Sequence, residues 1–168
     1  MTRSDKPTDS MFFSKRYDEA SVAFKRAERP HEAAICNAYL LREKARSLST
    51  TTGTHRKNAF IEAAIAFTAC AQAAPQKLEE EKRAYYRNAG ECFSEGRKLN
   101  EAGESYVKAG EYALAAQTYR KGGHFDEMVE VLRQYKDSID SKAVCRLTQV
   151  AQMYYFKVSK GASGCEVR

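Results

Sequence analysis

Proline is scarce, with three in 168 residues, and no apolar run approaches the roughly 18 residues that a membrane-spanning helix requires. A proline-rich disordered chain and a membrane-spanning one are therefore both poor readings, while 168 residues suit a single domain with a real core. The cysteines are isolated: Cys36, Cys70, Cys92, Cys145 and Cys165 form an odd set with no Cys-x-x-Cys pair, so a disulfide framework is not expected. The first four fall in apolar-patterned stretches, where a free thiol serves as a small buried hydrophobe. That usage points to a reducing, intracellular compartment and does not separate nucleus from cytoplasm.

Signatures of chemistry are also missing. The glycine-rich "YRKGGHF" has neither the Gly-Lys-Ser/Thr tail nor the preceding strand of a phosphate-binding loop. His31, His55 and His124 lack the same-face spacing that would hold a metal. Glu79, Glu80 and Glu81 point around a helix beside Lys77, Lys82 and Arg83, which reads as a solvated charged surface. Neither a catalytic residue, a cofactor nor a metal is expected, and the chain reads as a non-enzyme.

What is present is a spacing. "YDEASVAF", "FIEAAIAF", "YRNAGECF", "LNEAGESY", "YALAAQTY" and "FDEMVEVL" each place a large apolar residue first, a small or soft one three later, and a large one four beyond that. Such positions share one helix face. Tyr86, Leu99, Tyr112 and Phe125 are thirteen residues apart, and the middle positions Ala20, Ala63, Ala89, Ala102 and Ala115 would let a neighbouring helix approach closely. The fourth unit has Met128 there, a flexible side chain suited to a less regular gap at the edge of a stack. Gly96, Gly110, Gly122 and Gly123 follow helix-like runs and read as helix stops.

The expected fold is all-α, an irregular αα-hairpin stack of about seven or eight helices. Residues 1–10 read as a flexible tail or the edge of a longer protein, 11–160 as one helical-repeat domain with a loop at 47–55, and 161–168 as a frayed tail. Pro30 suits the first turn of a helix. Its apolar side is expected at Ala34, Ala38, Leu41 and Ala45. Ser138 or Asp140 is placed to cap the last helix, whose expected buried stripe is Ala143, Leu147, Val150, Tyr154 and Val158.

The stretch Tyr86, Ala89, Gly90, Phe93, Ala102, Tyr106, Ala109 resembles the tetratricopeptide repeat. The resemblance implies that the first four pack as its first helix and the last three as its second. Tyr17, Ala20, Phe24 and Ala27 resemble another second helix, and Tyr112, Ala115 and Tyr119 continue the packing positions. The units opened by Tyr112 and Phe125 are shorter than the family's 34-residue repeat, which implies an irregular stack. "FFSKRYDEASVAFKRAERPHEAAICNAYLLREKAR" with the alanine-glycine units also resembles the helical region of fungal tetratricopeptide- and ankyrin-repeat-containing proteins, some with a superfamily 1 helicase-like portion. No helicase motif lies in this chain, so any ATPase activity would belong to another part of a parent protein.

A repeat stack spreads recognition over several helices and needs no catalytic group. The expected function is a scaffold that binds a protein or peptide segment, or neighbouring domains of a parent protein, with no membrane partner. Adjacent aromatics on a helix cannot share one core face, which makes Tyr85 and Tyr155 candidate contacts. Arg42, Lys44, Arg46, Arg56 and Lys57 are the candidate basic patch. With a formal net charge of +6, they support a second reading, an accessory nucleic-acid-contacting region of a helicase-like enzyme.

Overall fold

Sparse proline and repeated apolar faces give an all-α chain. The computed structural model describes residues 16–48, 53–75 and 77–163, with side chains through Lys160, and no strand occurs among the described residues. The helices are α1 (Tyr17–Arg26), α2 (Pro30–Ser47), α3 (Gly53–Ala73), α4 (Glu79–Glu95), α5 (Leu99–Ala109), α6 (Tyr112–Gly122), α7 (Phe125–Gln134) and α8 (Ser141–Ser163). A 3-10 turn, Lys136–Ser138, separates the last two. The expected irregular stack of hairpins is what forms, each helix packing on its sequence neighbour within two compact units, Met1–Lys98 and Leu99–Arg168.

The connection at 47–55 is shorter than expected: Ser47 ends α2 and Gly53 begins α3. Residues 49–52 lie outside the described residues, as do the tail at 1–10, Cys165 and residues 164–168. At the other end, α8 continues to Ser163, two residues past the expected start of the frayed tail.

One turn recurs. Glu28, Arg97, Gly110 and Gly123 adopt positive φ, at 55°, 62°, 80° and 77°. After each, the next amide donates back to the carbonyl of the aromatic residue that closes the i, i+3, i+7 pattern. Arg29 bonds Phe24 at 3.0 Å, while Lys98 to Phe93, Glu111 to Tyr106 and His124 to Tyr119 are all 2.9 Å. This is the helix-ending bond that absorbs an otherwise orphaned carbonyl. The amide-donating residue then opens the next helix, so Ala33 bonds Arg29, Ala115 bonds Glu111 and Met128 bonds His124. A helix, a left-handed residue and a one-residue start account for the thirteen-residue spacing. The patterns opened by Phe60 and Phe125 do not close this way: α3 runs on to Ala73, and α7 ends in the 3-10 turn.

The glycines therefore divide by task. Gly110 and Gly123 supply left-handed turns with open space where a Cβ would lie. Gly96 and Gly103 supply proximity: an added Cβ would meet Ile61 at 2.7 Å and the Tyr119 ring at 2.5 Å respectively. Gly96 itself is right-handed at φ −72°, and Arg97 makes the turn after it.

In the first unit, α3 lies between α2 and α4. It buries Phe60, Ala63, Ala64, Phe67, Cys70 and Ala71, and the small residues admit helices on both sides. Tyr17 of α1 stacks on Tyr39 of α2 at 5.2 Å, and Tyr39 meets Phe67 of α3 edge-on at 5.0 Å. The Arg42 guanidinium covers both rings, 4.8 Å from Tyr39 and 5.5 Å from Phe67. It donates to Asn88 Oδ1 of α4 at 2.8 Å, and Asn88 Nδ2 donates to the Tyr39 hydroxyl at 3.2 Å. One connected cluster thus touches all four helices.

Most expected packing positions are buried, Ala20, Ala89, Ala102 and Ala115 completely. Gly90 is buried, while Phe93 and Tyr112 are half-buried. Ala27 departs from the pattern: it is exposed, at the turn after α1, whereas its counterpart Ala109 is buried. Met128, the soft residue of the fourth unit, is fully buried. The buried face of α2 holds Ala33, Ile35, Cys36, Ala38 and Ala45, and Ala34 is exposed.

Replacing Gly110 by alanine is expected to cost about 1–2 kcal/mol through backbone strain alone. Gly103→Ala is expected to cost about 1–3 kcal/mol by crowding Tyr119. In chemical denaturation followed by circular dichroism, Tyr119→Leu should shrink the Gly103→Ala loss and leave the Gly110→Ala loss unchanged; equal responses would contradict the two mechanisms. Arg42→Ala should lower stability by about 2 kcal/mol, because Asn88 loses a charged donor and two rings lose their cation. Arg42→Lys should recover less than half, since an ammonium cannot stack and donate as a planar fork does. A neutral Arg42→Ala would show that the cluster is incidental.

Candidate functional site

The expected basic patch is largely consumed by the fold. Arg42, 13% exposed at its side chain, is turned into the four-helix cluster. Arg46 pairs with Glu43 at 2.9 Å, and Arg56 lies 3.9 Å from Glu95 with its guanidinium over Phe60. Lys44 and Lys57 are exposed. Three of the five candidates are thus engaged by carboxylates, an amide or rings, and their charge is compensated locally.

Tyr85 is not a surface contact. It is 8% exposed, its ring meets His31 of α2 edge-on at 6.3 Å, and burial raises its phenol pKa. Tyr86 beside it is equally buried. Tyr155, by contrast, is 40% exposed on α8. Its hydroxyl donates to the Asp126 carboxylate of α7, and that bond, which favours the neutral phenol, pushes its pKa up to about 12.

The titratable groups elsewhere do not converge. Cys36, Cys70 and Cys92 are buried, and burial pushes Cys36 and Cys92 up to about 11, so they remain thiols at neutral pH. Cys145, expected in an apolar setting, is exposed on α8. No group of three or more potential metal ligands occurs among the described residues. No described helix is long and apolar enough to cross a membrane.

The feature that sequence reasoning touched only through Tyr155 lies in the second unit. Helices α7 and α8 form a hairpin braced by Tyr154 stacked on Phe125 at 4.0 Å and by the Tyr155–Asp126 bond. Asp140 caps α8 by accepting from the Ala143 amide at 3.1 Å, while Ser138 lies in the 3-10 turn. With ten residues against twenty-three, α7 is about 15 Å long and α8 about 34 Å, so the shorter helix cannot cover the longer. Of the expected α8 stripe only Leu147 is buried, joined by Ala151. Ala143 and Val150 are half-buried, and Tyr154 and Val158 are exposed.

The result is an open, mainly apolar groove of about 880 Å³ between α7 and α8. Val129 and Leu132 line one wall, and Val144, Ala151, Tyr155 and Phe156 the other. Phe156 is 60% exposed and Met153 61%. The available signal was "MYYF", residues 153–156: four consecutive bulky apolar residues point all round a helix, and one neighbour cannot cover them.

A second cleft of about 650 Å³ flanks α7 on the α5 side and is lined by Glu104, Asp126, Glu127 and Glu130 together with Lys108. Tyr119 is also in its wall, and burial pushes its phenol up to about 12. The two flanks of α7 thus differ in charge. Compared with protein-family models, curated proteins and solved structures, the chain has no match.

Maleimide labelling of the native chain, read by peptide mass spectrometry at pH 7.5, should modify Cys145 within minutes. Cys36, Cys70 and Cys92 should react at least roughly 100-fold more slowly until denaturant is added, because they are buried and protonated. Fast labelling of any of those three under native conditions would contradict the described core.

Proposed function

We propose that this chain is a non-enzymatic, tetratricopeptide-like interaction module, part of a larger intracellular protein, and that it binds a protein segment in the groove between α7 and α8. The observation carrying this reading is the groove itself, an apolar channel edged by bulky α8 side chains that α7 leaves uncovered. Exposed apolar surface gathered on one element is characteristic of a binding face, whereas scattered exposed apolar residues are ordinary. The all-α repeat-like architecture is of a kind often used for interactions, and successive helices can present such a face without any reactive group. Buried free thiols fit a reducing compartment.

A second reading has one observation in its favour. Helix α8 carries Lys142, Arg146, Lys157 and Lys160 and no carboxylate, beside exposed aromatics, a combination that also suits single-stranded nucleic acid. The aromatic faces are partly spoken for, since Tyr154 stacks on Phe125 and Lys160 covers Phe156 at 4.6 Å. A protein partner is therefore the better fit.

Affinity capture from extract, with and without nuclease, using the full chain and its Phe156→Glu variant distinguishes these readings. Proteins retained by the former and lost by the latter are expected. Retention that ignores the substitution, or material that disappears with nuclease, would sink the protein-binding reading. Phe156 is exposed, so the variant should keep its helix content by circular dichroism.

A further inference from the structure

We infer that the α7–α8 groove takes an amphipathic α-helix of a partner protein, four turns long and acidic along the borders of its apolar face. The inference rests on the groove being the binding surface and adds the chemistry of its occupant.

Length and shape come first. The α8 wall runs from Val144 to Ser159 with Thr148, Ala151, Gln152, Tyr155 and Phe156 between, one continuous stripe at helical spacing. At 1.5 Å per residue that stripe is about 22 Å long, or about four turns. The α7 wall contributes Val129, Leu132 and Arg133, again one face of a helix, and Lys136 follows in the 3-10 turn. The long α8 ridge and the shorter α7 ridge beside it form a trough into which a third helix packs by the same rule that joins the helices of this chain.

Backbone chemistry separates a helix from an extended segment. A strand laid in an apolar trough would bury amide and carbonyl groups, and no sheet edge among the described residues is present to pair with them. A helix arrives with its backbone bonds already made and offers only side chains.

Charge sets the borders. The charged residues lining the groove are Arg133 and Lys136, with no carboxylate among the lining residues. Arg133 is shared with Glu130 at 2.8 Å. Beyond the lining residues, Lys160 lies against the ring of Phe156. Four cations and no carboxylate along α8 extend the positive field beyond the groove itself. Meanwhile Glu104, Asp126, Glu127 and Glu130 line the cleft on the other flank of α7, where an acidic helix would be repelled. Asp126 and Glu130 also reach the groove side, through Tyr155 and Arg133, so Lys136 carries the attraction for an acidic border.

The test is a display selection of 16-residue peptides against the full chain, using two libraries. One fixes leucine at positions 2, 6, 9 and 13 as a helical apolar face. The other alternates leucine as an extended segment. Other positions are random in both.

Enrichment of Asp and Glu beside the leucines of the helical library, lost at least tenfold against Phe156→Glu and weakened severalfold by Lys136→Glu, is the expected result. Enrichment of Lys or Arg, or binding indifferent to Phe156, would overturn the inference. So would binding of anionic lipid vesicles or oligo-dT that depends on Phe156 when no peptide is selected. A concentration-dependent dimer abolished by Phe156→Glu would assign the groove to a second copy instead. Phe156-dependent enrichment confined to the extended library would reject the helix while keeping the groove as a protein site. Enrichment of neither library would remove support from both.

Discussion

A single backbone hydrogen bond organises this chain: the amide after a left-handed residue returns to the carbonyl of the aromatic that ends a helix. It occurs at Phe24, Phe93, Tyr106 and Tyr119, at 2.9–3.0 Å. The bond satisfies a carbonyl that helix termination would orphan, and the donating residue stands at the start of the next helix. Glycine accepts the left-handed geometry at Gly110 and Gly123 without steric penalty. Glu28 and Arg97 accept it at a cost of about 1 kcal/mol each, so the surrounding packing must hold them there.

Within each unit, the residues packed across these turns are shaped for close approach. Alanine at the middle position and glycine at Gly103 bring helices together, and Tyr119 fills the space that Gly103 leaves. In the first unit the gap between longer helices is filled differently, by Arg42 lying on Tyr39 and Phe67 and donating to Asn88. Withdrawing a guanidinium from water is costly, but planar stacking and a hydrogen bond offset much of that cost. The same arrangement removes Arg42 from any surface that could attract a phosphate backbone.

Packing is incomplete where the recurring turn stops. After α7 the chain makes a 3-10 turn instead, and α8 extends well beyond the helix it folds back on. Met153, Phe156 and Val158 are thereby left in solvent. A stack of helices buries a face only while another helix follows, and the exposed groove is the physical consequence of the last hairpin having no successor among the described residues. Its apolar floor, with Arg133 and Lys136 along one edge, gives that surface a chemistry.

The helices, their short turns and the small residues between them were legible because i, i+3, i+7 spacing and the thirteen-residue period are local properties. Three of the four short-range stops could be read from Gly96, Gly110 and Gly123, although Arg97 rather than Gly96 takes the left-handed position. The turn at Glu28 carried no glycine to announce it. The candidate site was far less legible. Tyr85 and Arg42 looked like surface groups and are inward, whereas Val158 and Cys145 looked buried and are exposed. By itself, the sequence determined which residues share a helix face and where most helices turn. Only the tertiary structure decided how many neighbours each helix has, and so which faces are covered, because burial is set by residues distant in sequence while periodicity is not.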